Sequence, residues 1–312
     1  MKPLILTSAN GTPASKYSFG TMQFGGKADK KESQKLFEAS RNAGLNFFDT
    51  AYGYTGGLSE TYLGEFTAKE RDNLVVATKC APVAGAASTY IRTQLDESRK
   101  RLKTDVIDVL YLHKWDDSTS LEETFSTLAE LQEQGLFRYL GVSNFSAWQT
   151  MKAANIAEKH GLRIDILEPM YNLVKRQVEV EILPMASSEG FNVAPYSPLG
   201  GGLLTGKYSN GLGGRLAENK TYNARYNNDW MHETARKLSE IAGKIDISAA
   251  TLAVAWVARN PAITHPIISA RSVEQLAPSL DAITYELSDE LYDEISAATR
   301  APAPATDRSE DS

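Results

Sequence analysis

Four side chains of the types that move protons recur at comparable places in the chain. Asp49 follows residues 45–48, an apolar run that reads as a strand, and Tyr54 lies five residues further on in a glycine-containing loop. Lys79 closes the strand-like run 74–78, and His113 closes the run 106–112. Together these groups suit proton transfer to a carbonyl oxygen. A free tyrosine has a pKa of about 10 and holds its proton at neutral pH. A neighbouring ammonium favours the phenolate, so Lys79 is expected to lower the Tyr54 pKa and let the residue both give and take back a proton. Asp49 would pair with Lys79 and hold it, and an imidazole N–H of His113 could orient the substrate oxygen. No covalent nucleophile accompanies them, so the carbonyl carbon must receive hydride from a cofactor.

The elements that position these residues follow from periodicity. Eight strand candidates appear: a short one near 18–20, then 45–48, 74–79, 106–112, 138–142, 164–167, 191–195 and 263–268. Helical spacing covers 32–42, 89–102, 121–134, 229–245, 248–259, 272–280 and 288–298, and Gly44 and Gly135 stop two of these. Ser59 reads as the cap of a helix, and Ser146 as the cap of another that runs to His160. Residues 178–189 read as a helix in which Pro184 is a kink or a start. Residues 200–225 read as a long irregular loop. Strands alternating with helices imply parallel pairing. Eight such units fit an α/β (β/α)8, or TIM, barrel, whose usual length is roughly 200 to over 400 residues. A doubly wound sheet loses because no G-x-G-x-x-G follows the first strand. The expectation is one barrel domain over 1–300 and a disordered Pro/Ala/Asp/Ser tail over 301–312.

In such a barrel the active site lies at the C-terminal ends of the strands. Those ends carry Gly20-Thr21-Met22, Asp49, Lys79, His113, Ser143-Asn144, Glu168, Tyr196-Ser197 and Ser269-Ala270-Arg271. One polar strand end is an ordinary solvated turn; a ring of them is harder to call accidental. Other features point elsewhere. The 312 residues carry a net charge of -6, with no basic patch for general nucleic-acid binding. The lone Cys80 excludes an internal disulfide framework and fits a reducing compartment; strand alternation turns it away from Lys79 into packing. No signal-type apolar region or membrane-length run is visible, so a soluble cytoplasmic protein is expected. His160, His232 and His265 read as structural. Residues 201–208 nearly match a P-loop, but Tyr208 stands where a small hydroxyl would bind Mg²⁺, and the stretch follows a late strand. No paired-cysteine or H-E-x-x-H metal spacing occurs. Trp115-Asp116-Asp117 reads as a pocket wall.

From Ser18 to Leu280 the chain resembles the aldo-keto reductase superfamily, in its bacterial-type branch. The resemblance rests on Gly20-Thr21-Met22-Gln23-Phe24-Gly25, Phe48-Asp49-Thr50-Ala51-Tyr52-Gly53-Tyr54, Thr78-Lys79, Tyr111-Leu112-His113, Leu140-Gly141-Val142-Ser143-Asn144-Phe145, Pro169-Met170-Tyr171-Asn172-Leu173 and the run 196–208. It implies a catalytic tetrad of Asp49, Tyr54, Lys79 and His113, with Tyr54 as general acid. It implies that Ser143, Asn144 and Glu168 hold a nicotinamide carboxamide and that Tyr196 stacks on its ring. Gly20, Thr21, Met22, Ser197, Leu199 and Gly201 would line the cofactor, with Ser269, Arg271, Gln275 and Ser279 around the adenosine phosphate. The implied activity is NADP(H)-dependent reduction of a small aldehyde or ketone, or the reverse oxidation, with NAD as a possible substitute. The alternatives are a narrow sugar- or pyridoxal-type dehydrogenase and a cofactor-binding interaction module resembling potassium-channel β subunits.

Two positions depart from the pattern. Glu168 stands where the family usually has glutamine; as a carboxylate it would favour oxidised cofactor, unless a raised pKa keeps it neutral. Around the adenosine end, Ser269-Ala270-Arg271 replaces the usual Pro-Gly-Ala or Pro-Lys-Ser, and Ser279 stands at the asparagine position. Arg271 suits a 2′-phosphate or a helix start on the surface. The loops at 23–31, 54–58, 81–88, 114–120 and 208–230 are expected to set the substrate.

Overall fold

The computed structural model describes residues 2–81, 85–210 and 219–306. Parts of the expected loops 81–88 and 208–230 and of the expected tail therefore lie outside the described residues. Eight strands form one sheet: β1 (Ser18–Gly20), β2 (Phe47–Asp49), β3 (Val75–Cys80), β4 (Ile107–Leu112), β5 (Phe137–Ser143), β6 (Ile164–Glu168), β7 (Asn192–Val193) and β8 (Ile267–Ile268). Their order is β7-β6-β5-β4-β3-β2-β1-β8, and the ladders are parallel. The two ends of that series meet. Ile267 N–H donates to the Pro195 carbonyl, and Thr264 and His265 N–H donate to that of Val193. The expected (β/α)8 barrel is what these residues form. Strands β7 and β8 are shorter than the expected 191–195 and 263–268, because a few isolated hydrogen bonds rather than a ladder close this seam.

Helices alternate with the strands: α1 (Lys30–Asn42), α2 (Leu58–Thr67), α3 (Ser88–Leu102), α4 (Leu121–Glu133), α5 (Ala147–Lys159) and α6 (Ile182–Glu189). They continue with α7 (Lys220–Tyr226), α8 (Asp229–Lys244), α9 (Ala249–Arg259), α10 (Val273–Asp281) and α11 (Asp289–Ala297). Ser146 caps α5 with a capping box, as its position predicts. Ser59 does not cap α2. Its hydroxyl lies inside the first turn, bonded to Thr21 and Thr50, while Thr55 accepts the Ser59 N–H. Pro184 marks a start, since it sits in the first turn of α6, where a missing N–H costs nothing. The stretch expected as irregular over 200–225 is partly helical: it contains a 3-10 segment, Gly200–Thr205, and most of α7. Among the described residues no single helix is long and apolar enough to cross a membrane.

Strand alternation divides the core in two. Side chains facing outward join the helices in the larger cluster. Those facing inward form a separate plug of Phe47, Val75, Ala77, Val109, Tyr111, Ile166, Ala194 and Ile267, closed from below by Leu6. Leu6 comes from an N-terminal turn, paired between Thr7 and Pro13 and held by the Asn192 amide on the Leu4 carbonyl. Tyr111 leaves no room for a side chain at 141: a Cβ there would lie 2.3 Å from its ring. Gly141 is therefore a packing requirement. Counting two residues on from Phe47, Ala77, Tyr111, Gly141, Ile166 and Ala194 gives Asp49, Lys79, His113, Ser143, Glu168 and Tyr196. The same alternation that fills the barrel floor thus builds the layer above it.

Candidate active site

Lys79 is the centre of that layer and has no exposed surface. Its ammonium donates to Asp49 Oδ1 at 2.5 Å, to Asp49 Oδ2 at 2.6 Å and to the Thr50 carbonyl at 2.9 Å. Glu168 Oε2 lies 3.2 Å from the same nitrogen and takes part in no hydrogen bond. Burial acts to lower the Lys79 pKa, but Asp49 and Glu168 outweigh it and hold the ammonium charged well above the usual lysine range. Burial, reinforced by the negative charge of Asp49, pushes Glu168 up to about 8 against the pull of Lys79. Burial raises the Asp49 pKa as well, against the same pull, so the two carboxyl groups compete for one ammonium.

Tyr54 enters from the loop after β2. That loop turns sharply through left-handed Thr55, Gly56 and Gly57. It is pinned by the Thr55 hydroxyl on the Phe24 carbonyl and by Arg101, which holds the Tyr52 carbonyl. Gly57 suits this turn because its φ of +92° is one that side-chain-bearing residues rarely adopt. The Tyr54 ring sits 5.3 Å from Lys79 Nζ and meets the His113 ring edge-on at 5.9 Å between centroids. Lys79 does pull the Tyr54 pKa down, as expected, but burial is the larger effect, and Asp49 and Glu168 add to it. The net shift is upward, which corrects the expectation of a lowered value. Tyr54 is thus a firmly protonated phenol. His113 is driven the other way, to about 3, by burial and then by Lys79, so its imidazole is neutral. Its Nδ1 is buried without a partner.

Asp49, Tyr54 and His113 open onto a cleft of about 1030 Å³, and Lys79 stands behind them. Ser143, Asn144, Glu168 and Tyr196 line the near part. Asn144 is in the left-handed region; its amide donates to the His113 carbonyl and the Ser143 hydroxyl, and its Oδ1 accepts from the Tyr196 hydroxyl at 2.7 Å. Gly20, Met22, Ser197, Leu199 and Gly201 continue the wall. Ser269, Arg271, Gln275 and Ser279 line the cleft where β8 leads into α10, as the sequence places them. The Ser279 hydroxyl is buried there without a partner.

Thr21 is the exception among the expected wall residues. It is fully buried and does not line the cleft; its hydroxyl is bonded to the Asp49 carbonyl at 3.0 Å and to Ser59 at 2.8 Å. It fixes the end of β2 instead. The wall also contains residues that sequence reasoning passed over: Gly202, Thr205 and Lys207. The available signal was the P-loop-like run 201–208. It has the glycines for a close backbone approach, although it follows a late strand. Tyr222 and Arg225, within the loop assigned to substrate, line the same cleft. Trp115 packs edge-on against Phe145 and Trp148, and Asp116 ties its own loop to the Ala86 N–H and Ser118. Cys80 is buried with its thiol on the Tyr111 carbonyl, and the three other histidines have ordinary partners in Glu122, Asn227 and the Ser15 carbonyl.

Comparison with known proteins places this arrangement. The sequence profile of the aldo/keto reductase family matches residues 16–300. A probable voltage-gated potassium channel subunit beta of Oryza sativa is 34% identical, over 96% of this chain and 97% of that protein. The norsolorinic acid reductase of Emericella nidulans is 33% identical, over 93% of this chain and 80% of its own. Among solved structures, a glycerol dehydrogenase from Gluconobacter oxydans superposes with a TM-score of 0.83 at 25% identity, covering 94% of both chains. A profile spanning the barrel, relatives aligned nearly end to end and a shared fold agree that the chain belongs to the aldo/keto reductase family.

Proposed function

We propose that the protein is an NADP(H)-dependent oxidoreductase that reduces the carbonyl of a small aldehyde or ketone, or oxidises the corresponding alcohol, with Tyr54 as general acid and base. The observation that carries this reading is the placement of a protonated tyrosine and a neutral histidine at one end of a long cleft, over a buried Lys79–Asp49 pair. The residues fit a dinucleotide. The cleft has room for one, and buried polar atoms without hydrogen-bond partners stand at both ends: His113 Nδ1 beside Tyr54, and Ser279 Oγ beyond β8. Ser143, Asn144 and Glu168 would hold the carboxamide, Tyr196 the ring face, and Arg271 a 2′-phosphate, for which a guanidinium is well shaped. When bound, the cofactor supplies or accepts the hydride.

The chain's own residues handle the proton. An N–H of neutral His113 orients the carbonyl oxygen toward the Tyr54 hydroxyl. Tyr54 gives its proton to that oxygen as charge develops there, and Lys79, kept charged by Asp49, stabilises the phenolate left behind. Oxidation runs the same proton backwards, from alcohol to phenolate. Burial makes the protonated tyrosine the resting form, so reduction starts from the more populated state.

Fluorescence titration with NADPH and NADH, followed by turnover of a generic aldehyde in wild type and Tyr54→Phe, tests the proposal. Tight NADPH binding with turnover that collapses in the variant is the expected result. A second reading is favoured by the potassium-channel-type relative: a cofactor-binding interaction module. Binding of cofactor without turnover on a broad carbonyl and alcohol panel would favour it. No binding of either nucleotide would remove both readings.

A further inference from the structure

The cluster behind Tyr54 has an unequal charge count. Two carboxylates, Asp49 and Glu168, share one ammonium in a space almost closed to water. The three N–H bonds of Lys79 go to the two oxygens of Asp49 and to the Thr50 carbonyl. Glu168 comes second to Asp49: its Oε2 is near the ammonium but receives no hydrogen bond. The other titratable groups facing it are phenols, Tyr54 from the loop after β2, Tyr111 from β4 and Tyr196 after β7. Each has its proton held more tightly by the nearby carboxylate. Among the described residues, Lys79 is the one cation acting on Glu168. One of the two carboxyl groups must therefore be neutral for the charges to balance, and the geometry selects Glu168. Burial raises the pKa of both carboxyl groups against the pull of Lys79, so it is the hydrogen-bond geometry that tells them apart.

Glu168 also lines the cleft, together with Ser143, Asn144 and Tyr196, the residues assigned above to the nicotinamide end. An oxidised ring carries a positive charge and a reduced ring carries none. We propose that Glu168 is a charge-sensing acid of the cofactor site: it keeps its proton when the site is empty or holds reduced cofactor, and releases it to solvent when oxidised cofactor binds. The inference rests on the cofactor reading above. The balance is simple: the O–H bond of Glu168 breaks, the proton goes to solvent, and the carboxylate left behind offsets the ring's charge. No redox change accompanies the step. As a neutral acid Glu168 serves the carboxamide much as an amide would; as a carboxylate it adds an attraction specific to the oxidised form.

Proton release is measured by titration calorimetry with NADP⁺ and with NADPH, each in buffers of different ionisation enthalpy. Near neutral pH, binding of NADP⁺ should release close to one proton per site, and binding of NADPH close to none. The ratio of NADP⁺ to NADPH affinity should rise about tenfold per pH unit below the Glu168 pKa and flatten above it. The 2′-phosphate titrates in both nucleotides and largely cancels in the ratio. In Glu168→Gln the ratio should be independent of pH and lower than in wild type above pH 8. Equal proton release with both nucleotides, or a flat ratio in wild type, overturns the proposal while leaving the cofactor reading intact. Failure of both nucleotides to bind overturns that reading, and this inference with it. The wild-type measurements decide the matter even if the variant does not fold.

Discussion

Removing the one cation of the buried cluster should cost the fold more than removing either anion. Lys79→Met deletes three hydrogen bonds and leaves Asp49, about 4% exposed, with no counter-charge. Breaking a buried pair in this way typically costs about 3–5 kcal/mol. For a chain of this length that corresponds to roughly 6–10 °C in Tm, at about 2 °C per kcal/mol. Asp49→Asn should be milder, on the order of 1–2 kcal/mol. Lys79 then still has the Thr50 carbonyl, and Glu168 is close enough at 3.2 Å to ionise in place of Asp49. The double variant Asp49→Asn/Lys79→Met contains no stranded charge and should recover more than half of the Lys79→Met loss.

The pH dependence has a defined sign. In Lys79→Met the folded protein can relieve the stranded charge only by protonating Asp49, so the folded pKa of that group rises above its unfolded value. Between the two values the unfolded state binds fewer protons, and stability falls as pH rises. The Lys79→Met penalty relative to wild type should therefore be larger at pH 8 than at pH 5. Urea unfolding at both pH values, followed by tryptophan fluorescence, measures all three variants. A Lys79→Met loss below about 1 kcal/mol, a loss equal at the two pH values, or a double variant no better than the single would show that the cluster is not governed by charge balance.

Thr21→Val should lower stability by about 1–2 kcal/mol, because a buried hydroxyl bonded to Asp49 and Ser59 is lost. Its NADPH affinity should hardly change; a large loss of affinity at full stability would return Thr21 to the cofactor wall. Gly141→Ala drives a Cβ into the Tyr111 ring at 2.3 Å and should cost about 1–3 kcal/mol by overpacking, read as a fall in the urea midpoint. His265 is buried with its Nδ1 on the Ser15 carbonyl, and burial depresses its pKa from 6.5 to about 4. The unfolded state then binds more protons between those values, so this residue removes stability as pH falls through that window, on the order of 3 kcal/mol in all. Unfolding midpoints between pH 7 and pH 4 should show this acid slope in wild type and a shallower one in His265→Gln.

How far the site could be read from sequence depends on which physical quantity each statement needs. Direction is carried by alternation. Phe47 predicts that Asp49 points inward, Val75 and Ala77 do the same for Lys79, Val109 and Tyr111 for His113, and Ile166 for Glu168. Cys80 is turned outward by the same count and is buried there. Loop residues have no such rule: Tyr54 was found by its spacing from Asp49, whereas Thr21 and Ser59 were misplaced, because their hydroxyls bond to each other across a distance of 38 residues. The N-terminal turn that plugs the barrel with Leu6 leaves no periodic trace at all. Burial depth is the least legible quantity, and it decides the electrostatics. A lysine beside a tyrosine argues for a lowered phenol pKa; only the complete enclosure by the plug, the strand ends and two carboxylates reverses that sign. Glu168 marks the same boundary. Its identity as an acid at a glutamine position is visible in the sequence, but whether it is charged follows from Asp49 having already taken the bonds of the shared ammonium.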